Sequence, residues 1–158
     1  MTASESFMST LHILMAQMNT LVGDFEGNTQ KIIDALTLAE SEHEMPIVVC
    51  PELTLSGYPP EDLLLRPSIA LRVEQSLMTL CAAMQGSAYL VIGYPLKVGG
   101  ALYNVAGVLH RGEIVAQYRK QCLPNYQVFD EKRYFTPGSE PCVVTIAGVA
   151  VGLTICED

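Results

Sequence analysis

The chain has 158 residues, and its 9 basic and 17 acidic side chains leave a formal net charge of −8. That length suits one domain with a substantial core, and the 16% charged and 49% apolar shares exclude a disordered chain. The acidic balance argues against a nucleic-acid or anionic-membrane partner, and no apolar run approaches the ~18 residues of a bilayer span.

Residues 1–10, MTASESFMST, are small and polar and read as a flexible tail. They lack the basic region and apolar core of a secretory signal, so the chain reads as cytoplasmic. Leu11–Gln17 reads as a buried strand. Asn28 is a candidate cap for a helix with Ile32, Leu36 and Ala39 on one face. Pro46–Cys50 is a short apolar strand. Pro59-Pro60 break the backbone before a turn of helix at Glu61–Arg66. A second amphipathic helix is expected over Ser68–Gln85, with Val73, Leu77, Leu80 and Met84 inward and Gly86 as its stop.

The pattern then changes to strands. Ala88–Tyr94 and Leu102–His110 are apolar, and Arg111-Gly112 turns the latter into Glu113–Arg119. On that last strand Ile114, Ala116, Tyr118 and Lys120 share a face. A polar and aromatic loop spans Gln121–Pro141. Cys142–Ile146 and Val149–Ile155 form another hairpin about Ala147-Gly148, with Val149, Val151, Leu153 and Ile155 pointing one way. This succession predicts an α/β layer structure, with helices on one sheet face and a second sheet, from this or another chain, on the other. The sequence stops at Cys156-Glu157-Asp158, directly after a buried strand. The expectation is therefore an N-terminal portion of a larger domain, with residues 11–158 truncated after that strand.

Three reactive groups stand at strand exits: Glu52, Lys120 and Cys156. Ligands gather at such ends of open α/β sheets. A free thiol is mostly protonated at neutral pH. An ammonium nearby favours its anion, a carboxylate can take its proton, and the same ammonium can stabilise an oxyanion. On spacing alone Cys50 and Cys122 rival Cys156. Each group also has a plain alternative: a core cysteine, a capping carboxylate, an exposed hairpin lysine. Five cysteines without a CxxC pair argue against a disulfide framework. Three scattered histidines give no metal motif, so no metal is expected.

At these residues the chain resembles the nitrilase superfamily of carbon–nitrogen hydrolases. The resemblance rests on Pro51-Glu52-Leu53 with Gly57-Tyr58, Tyr118-Arg119-Lys120 with Leu123-Pro124, Glu131 with Tyr134-Phe135 and Gly138, and Cys156-Glu157-Asp158. The longer words PELTLSGYPPEDLLLRP and NYQVFDEKRYFTPG are similar to the N-terminal glutaminase domains of the glutamine-dependent NAD synthetase family. The resemblance implies an αββα sandwich whose members pair through their helical faces, so a homo-oligomer is expected. It implies Glu52 as general base, Lys120 as oxyanion-stabilising lysine and Cys156 as nucleophile. The Glu157 backbone N–H would be a second oxyanion donor. Glu131 would orient the lysine and substrate, and Tyr58 and Tyr126 would lie near the glutamine pocket.

Without the resemblance, Tyr58 and Tyr126 would only pack turns beside prolines. Glu131, amid Asp130, Lys132 and Arg133, would belong to a solvated face. Cys122 stands where many family members have histidine. The implied partners are glutamine for this portion, and deamido-NAD and ATP with magnesium for a synthetase domain outside the sequence. A free-standing amidase acting on another small amide is the alternative, as is an inactive, self-associating fragment.

Overall fold

The computed structural model describes residues 10–158, so all but Thr10 of the expected tail lies outside the described residues. Strand β1 (Ile13–Met15), helix α1 (Phe25–Glu42), β2 (Ile47–Val49), α2 (Ser68–Ala83) and β3 (Tyr89–Val98) come first. They are followed by β4 (Ala101–His110), β5 (Glu113–Arg119), β6 (Val143–Ile146) and β7 (Val149–Gly152). The sheet runs β1-β2-β3-β4-β5, with β1, β2 and β3 parallel and β4 and β5 added antiparallel. The parallel pairs are joined through α1 and α2, the helical crossover that parallel pairing requires.

Helix α1 starts one turn earlier than expected. Its cap is Asp24, whose carboxylate accepts the Gly27 N–H at 3.0 Å. Asn28 lies inside the first turn, fully buried. Its amide accepts from Leu21 N at 2.9 Å and donates to the Leu21 and Leu55 carbonyls at 2.9 and 3.2 Å. It therefore clamps two loops, a use of a buried amide that local sequence does not reveal. Helix α2 stops at Ala83 with Met84 as its C-cap, two residues short of Gly86. The turn at Glu61–Leu65 is a 3₁₀ helix.

Strand β3 continues four residues past Tyr94 and reverses at Gly99-Gly100, a turn absent from the sequence reading. Both glycines have positive φ, +57° and +88°, as a type I′ hairpin demands. The two expected hairpins obey the same rule, at Arg111-Gly112 (+49°, +81°) and Ala147-Gly148 (+48°, +82°).

The main core lies between the helices and one sheet face, where Phe25, Ile32, Leu36, Leu80, Leu90 and Ile92 are sealed from solvent. Each such side chain contributes roughly 1.5–3 kcal/mol relative to an exposed position. The opposite face is covered by the β6–β7 hairpin, with Ile146, Leu153 and Ile155 against Ile47, Val108 and Tyr118. The second sheet thus comes from the same chain. The alternation along the last arm persists through Ile155 although the β7 ladder ends at Gly152. The hairpin leaves the β1 edge uncovered, where Ile13 and Met15 are 58% and 79% exposed. A third cluster, Leu53, Leu64, Leu123 and Phe135, packs beneath the loops at the carboxyl ends of the strands. Among the described residues no helix is long and apolar enough to cross a membrane.

Candidate functional site

The strand exits converge on a buried lysine. Lys120 prolongs β5 by one residue: its N–H donates to the Asn104 carbonyl at 2.9 Å, and its carbonyl accepts the Gly138 N–H at 2.8 Å. Its side chain is 0% exposed, and its ammonium donates to Glu52 Oε1 at 2.7 Å and Glu131 Oε1 at 2.9 Å. Burial alone pulls the Lys120 pKa down, but the bonds and charges of the two carboxylates outweigh it and hold the ammonium above its ordinary value.

Glu52 sits on a turn pressed against β3. Leu53 next to it has φ +50°, and Leu55 N donates to the Gly93 carbonyl at 3.2 Å. Gly93 permits this approach. A Cβ there would stand 2.9 Å from the Glu52 carbonyl carbon and closer still to the Leu53 nitrogen. Both neighbours are backbone and cannot rotate away. Gly93→Ala is therefore expected to cost about 2 kcal/mol and to lift Glu52 off the lysine, read as a lower urea-unfolding midpoint. An unchanged midpoint would mean the turn has room to shift.

Glu131 opens a 3₁₀ turn, Glu131–Arg133. The four-charge run is split by the fold. Glu131 is buried, held by its N–H on the Pro124 carbonyl at 3.1 Å and its carbonyl on the Phe135 N–H at 2.8 Å, while Asp130, Lys132 and Arg133 are exposed. Burial and then the Glu52 charge raise the Glu131 carboxyl above the usual range, against the pull of Lys120. Its second oxygen, Oε2, is buried without a partner among the described residues.

Cys156 lies beyond the β7 ladder at the tip of a tight turn, closed by Asp158 N on the Ile155 carbonyl at 3.2 Å. Its φ is +51°, a conformation that costs a non-glycine residue roughly 1 kcal/mol or more and collects at functional sites. Cys156 lines a cavity of about 150 Å³ with Glu52 and Asn104. Burial first and then the Glu52 carboxylate raise its pKa, while Lys120 lowers it. Of the two rival thiols, Cys50 borders the same cavity and Cys122 does not. Cys50 is half-buried, its thiol pushed up to about 12 by burial. Cys122 is exposed and lines a separate cavity with Tyr126 and Glu157.

Tyr58 borders a cavity of about 230 Å³ with Leu53, Phe129 and Glu131. Its hydroxyl is held at about 12 by burial and then by the charges of Glu131 and Glu52. Tyr126 is half exposed, donates its hydroxyl to the Glu157 carboxylate and meets Phe129 edge-on at 5.8 Å. Arg133 and the Tyr134 hydroxyl close the outer wall on Asp62 Oδ1 at 3.1 and 2.7 Å.

Two further residues belong to this constellation that sequence reasoning gave no role. Asn104, on β4, is 1% exposed and donates to Glu52 Oε1 at 2.6 Å. A lone amide inside an apolar strand is the signal that could have found it, since asparagine is depleted in strands. Asp158 ties the Cys156 turn to the residues after Lys120, through bonds from the Gln121 and Cys122 N–H groups at 3.0 and 2.7 Å.

A carboxylate, an ammonium and a thiol at one rim suit acyl transfer from an amide. Comparison with known proteins points the same way. Residues 13–158 match the family model described as carbon-nitrogen hydrolase. The chain is 51% identical over 151 residues to the glutamine-dependent NAD(+) synthetase of Xanthomonas campestris pv. campestris, covering 94% of this chain and 27% of the relative. The synthetase of Thermotoga maritima is 45% identical, with 96% and 26% covered. Among solved structures, the glutamine-dependent NAD+ synthetase of Acinetobacter baumannii in complex with ADP superimposes with TM-score 0.87 at 36% identity, covering 92% of this chain and 27% of that one. An amidase from Nesterenkonia sp. superimposes with TM-score 0.81 at 25% identity, covering 92% and 55%. The chain thus spans about a quarter of the length of the curated relatives it matches, and adopts part of the fold these proteins share. With the family model matched from β1 to Asp158, the chain belongs to the carbon–nitrogen hydrolase family.

Proposed function

We propose that this chain is the N-terminal glutaminase portion of a glutamine-dependent NAD synthetase, hydrolysing the side-chain amide of glutamine through Cys156. The observation that carries the reading is the buried Lys120 ammonium. It is held by Glu52 and Glu131, with Cys156 lining the same cavity as Glu52. The raised thiol is protonated at rest, so attack requires a base, and Glu52 takes the proton as sulfur bonds to the amide carbon. The carbonyl oxygen becomes an oxyanion beside Lys120 and the Glu157 backbone N–H, each such donor being worth roughly 3 kcal/mol. Glu52 returns its proton to the leaving nitrogen, ammonia departs and a γ-glutamyl thioester remains. Glu52 then deprotonates water, which cleaves the thioester to glutamate and free thiol.

Glu131 orients the lysine, its Oε1 accepting from the ammonium at 2.9 Å. Tyr58, bordering the cavity with Glu131, and Tyr126, bordering the separate one with Glu157, are read as flanking the glutamine pocket. The relatives' names support glutamine as nitrogen donor. A mutant of the Nesterenkonia amidase carries the acetamide moiety of fluoroacetamide covalently on its active site cysteine, which supports a cysteine nucleophile. In the full-length protein the ammonia would amidate deamido-NAD at the expense of ATP, with magnesium. That chemistry belongs to another domain, and no residue here is assigned to it.

Cys156→Ala in the full-length protein is expected to abolish glutamine-dependent NAD formation while ammonia-dependent formation persists. Continued use of glutamine by that variant would remove the thiol from the mechanism.

A further inference from the structure

The carboxylate of Asp158 accepts four hydrogen bonds drawn from two separate strand exits. Oδ1 takes the Gln121 N–H at 3.0 Å and the Cys122 N–H at 2.7 Å, the two amides that follow Lys120. Oδ2 takes the Ile155 N–H at 3.0 Å, immediately before Cys156, and the Tyr118 hydroxyl at 2.9 Å. Tyr118 lies on the same face of β5 as Lys120 and is buried. Resting on the hydrolytic reading above, we infer that Asp158 is a positioning residue that fixes the Cys156 turn at a set distance from Lys120.

Three observations support it. First, among the described residues the two exits are joined by neither a ladder nor a hairpin, since β5 pairs with β4 and β7 with β6. Packing of Ile155 against Tyr118 brings the two exits together, and the Asp158 carboxylate supplies the directional tie. Second, the Cys156 φ of +51° persists only where the surroundings over-determine it. The Asp158 side chain grips the residue before the thiol, and the Asp158 N–H closes the turn over it. Third, burial would raise the Asp158 carboxyl, yet the bonds from Cys122, Ile155, Tyr118 and Gln121 hold it below the usual range, so it stays ionised and acceptor-only throughout the working pH.

The test is Asp158→Asn in the full-length enzyme. Asparagine keeps one acceptor oxygen and turns the other into a donor aimed at donors, so half the clamp is lost with little change in volume. A drift of about 1 Å between thiol and ammonium costs of the order of 10²-fold. The expected result is a kcat for glutamine hydrolysis lowered about 100-fold with KM little changed. The pH profile of Cys156 alkylation by iodoacetamide, taken without substrate, should move to lower pH, because burial and the Glu52 charge, which hold the thiol up, outweigh the lowering by Lys120. The groups whose charges act on that thiol are Glu52, Lys120, Glu157 and Glu131. Removing the Asp158 charge would by itself act in the same sense, so Tyr118→Phe, which weakens the clamp and leaves the Asp158 charge in place, separates positioning from electrostatics.

A folded variant with unchanged kcat and profile would overturn the inference. If Asp158→Asn fails to fold, Tyr118→Phe removes a single donor. A smaller kcat loss with the same shift to lower pH then supports the inference, and a wild-type profile overturns it. Cys156→Ala run alongside distinguishes the failures. Glutamine hydrolysis surviving in that variant sinks the hydrolytic reading. Hydrolysis lost there, with Asp158→Asn and Tyr118→Phe both indifferent, sinks only the role of Asp158.

Discussion

Replacing Lys120 by Met is expected to cost about 3–5 kcal/mol of stability near pH 8 and to lower glutamine turnover about 10²–10³-fold. The first effect follows from burial. The Lys120 side chain is 0% exposed, and its two partners are 19% and 7% exposed, so neither carboxylate can recover its hydration by turning outward. The trio carries one positive and two negative charges. Without the ammonium it holds two like charges facing each other in a poorly solvated site. The Glu131 carboxyl, which burial already holds above the usual range, then rises further.

The sign of the pH dependence is fixed by that rise. A carboxyl whose folded pKa exceeds its unfolded value contributes fully below the unfolded pKa, ~4.3 for glutamate, and the contribution is lost as pH climbs through the folded pKa. The deficit relative to wild type is therefore largest at pH 8 and shrinks on acidification towards pH 5. Urea unfolding at the two pH values measures it, and equal deficits would show that the carboxylates are hydrated. The thiol gives an independent reading. Lys120 lowers the Cys156 pKa, so its removal should slow alkylation of that thiol at any fixed pH.

How much of this was legible in the sequence follows from the range of each interaction. The strand exits bearing Glu52, Lys120 and Cys156 are legible because a period-2 apolar run ending at a Pro, a charge or a turn needs only neighbouring residues. The buried face of α1 is legible for the same reason, through Ile32, Leu36 and Ala39. Where a residue's partner lies far along the chain, the local pattern is silent. Asn104 bonds Glu52 across 52 residues, and Asp158 bonds Gln121 across 37. Asn28 looked like a cap because asparagine caps well, but its partner Leu55 is 27 residues away and pulls it inside the helix. Glu131 shows the same limit. Three charged neighbours suggest solvent, and only its anchoring on Pro124 and Phe135 puts it in the interior. The family resemblance supplied what spacing could not, because it carries long-range geometry in its motifs.

Glu52→Gln is expected to lower turnover about 10²–10⁴-fold while leaving the fold within about 1 kcal/mol of wild type. The reason lies in the division of labour between the two carboxylate oxygens. Oε1 accepts from Lys120 Nζ at 2.7 Å and from Asn104 Nδ2 at 2.6 Å, so it is engaged by two donors. Oε2 is the oxygen left for proton transfer. Glutamine reproduces the first function, an amide oxygen between the same two donors, and cannot perform the second. The trio also becomes neutral, one ammonium with one carboxylate, so no buried charge is stranded as in Lys120→Met. The thiol should respond in the opposite sense to its effect on turnover. The Glu52 charge holds the Cys156 thiol up, so removing it lowers the pKa and speeds alkylation by iodoacetamide near pH 7. A variant whose sulfur is easier to alkylate yet hydrolyses glutamine far more slowly separates proton transfer from electrostatic activation. Were Glu52→Gln to retain more than about a tenth of wild-type turnover, against the loss expected of a missing general base, the proton would have to leave the thiol by another route.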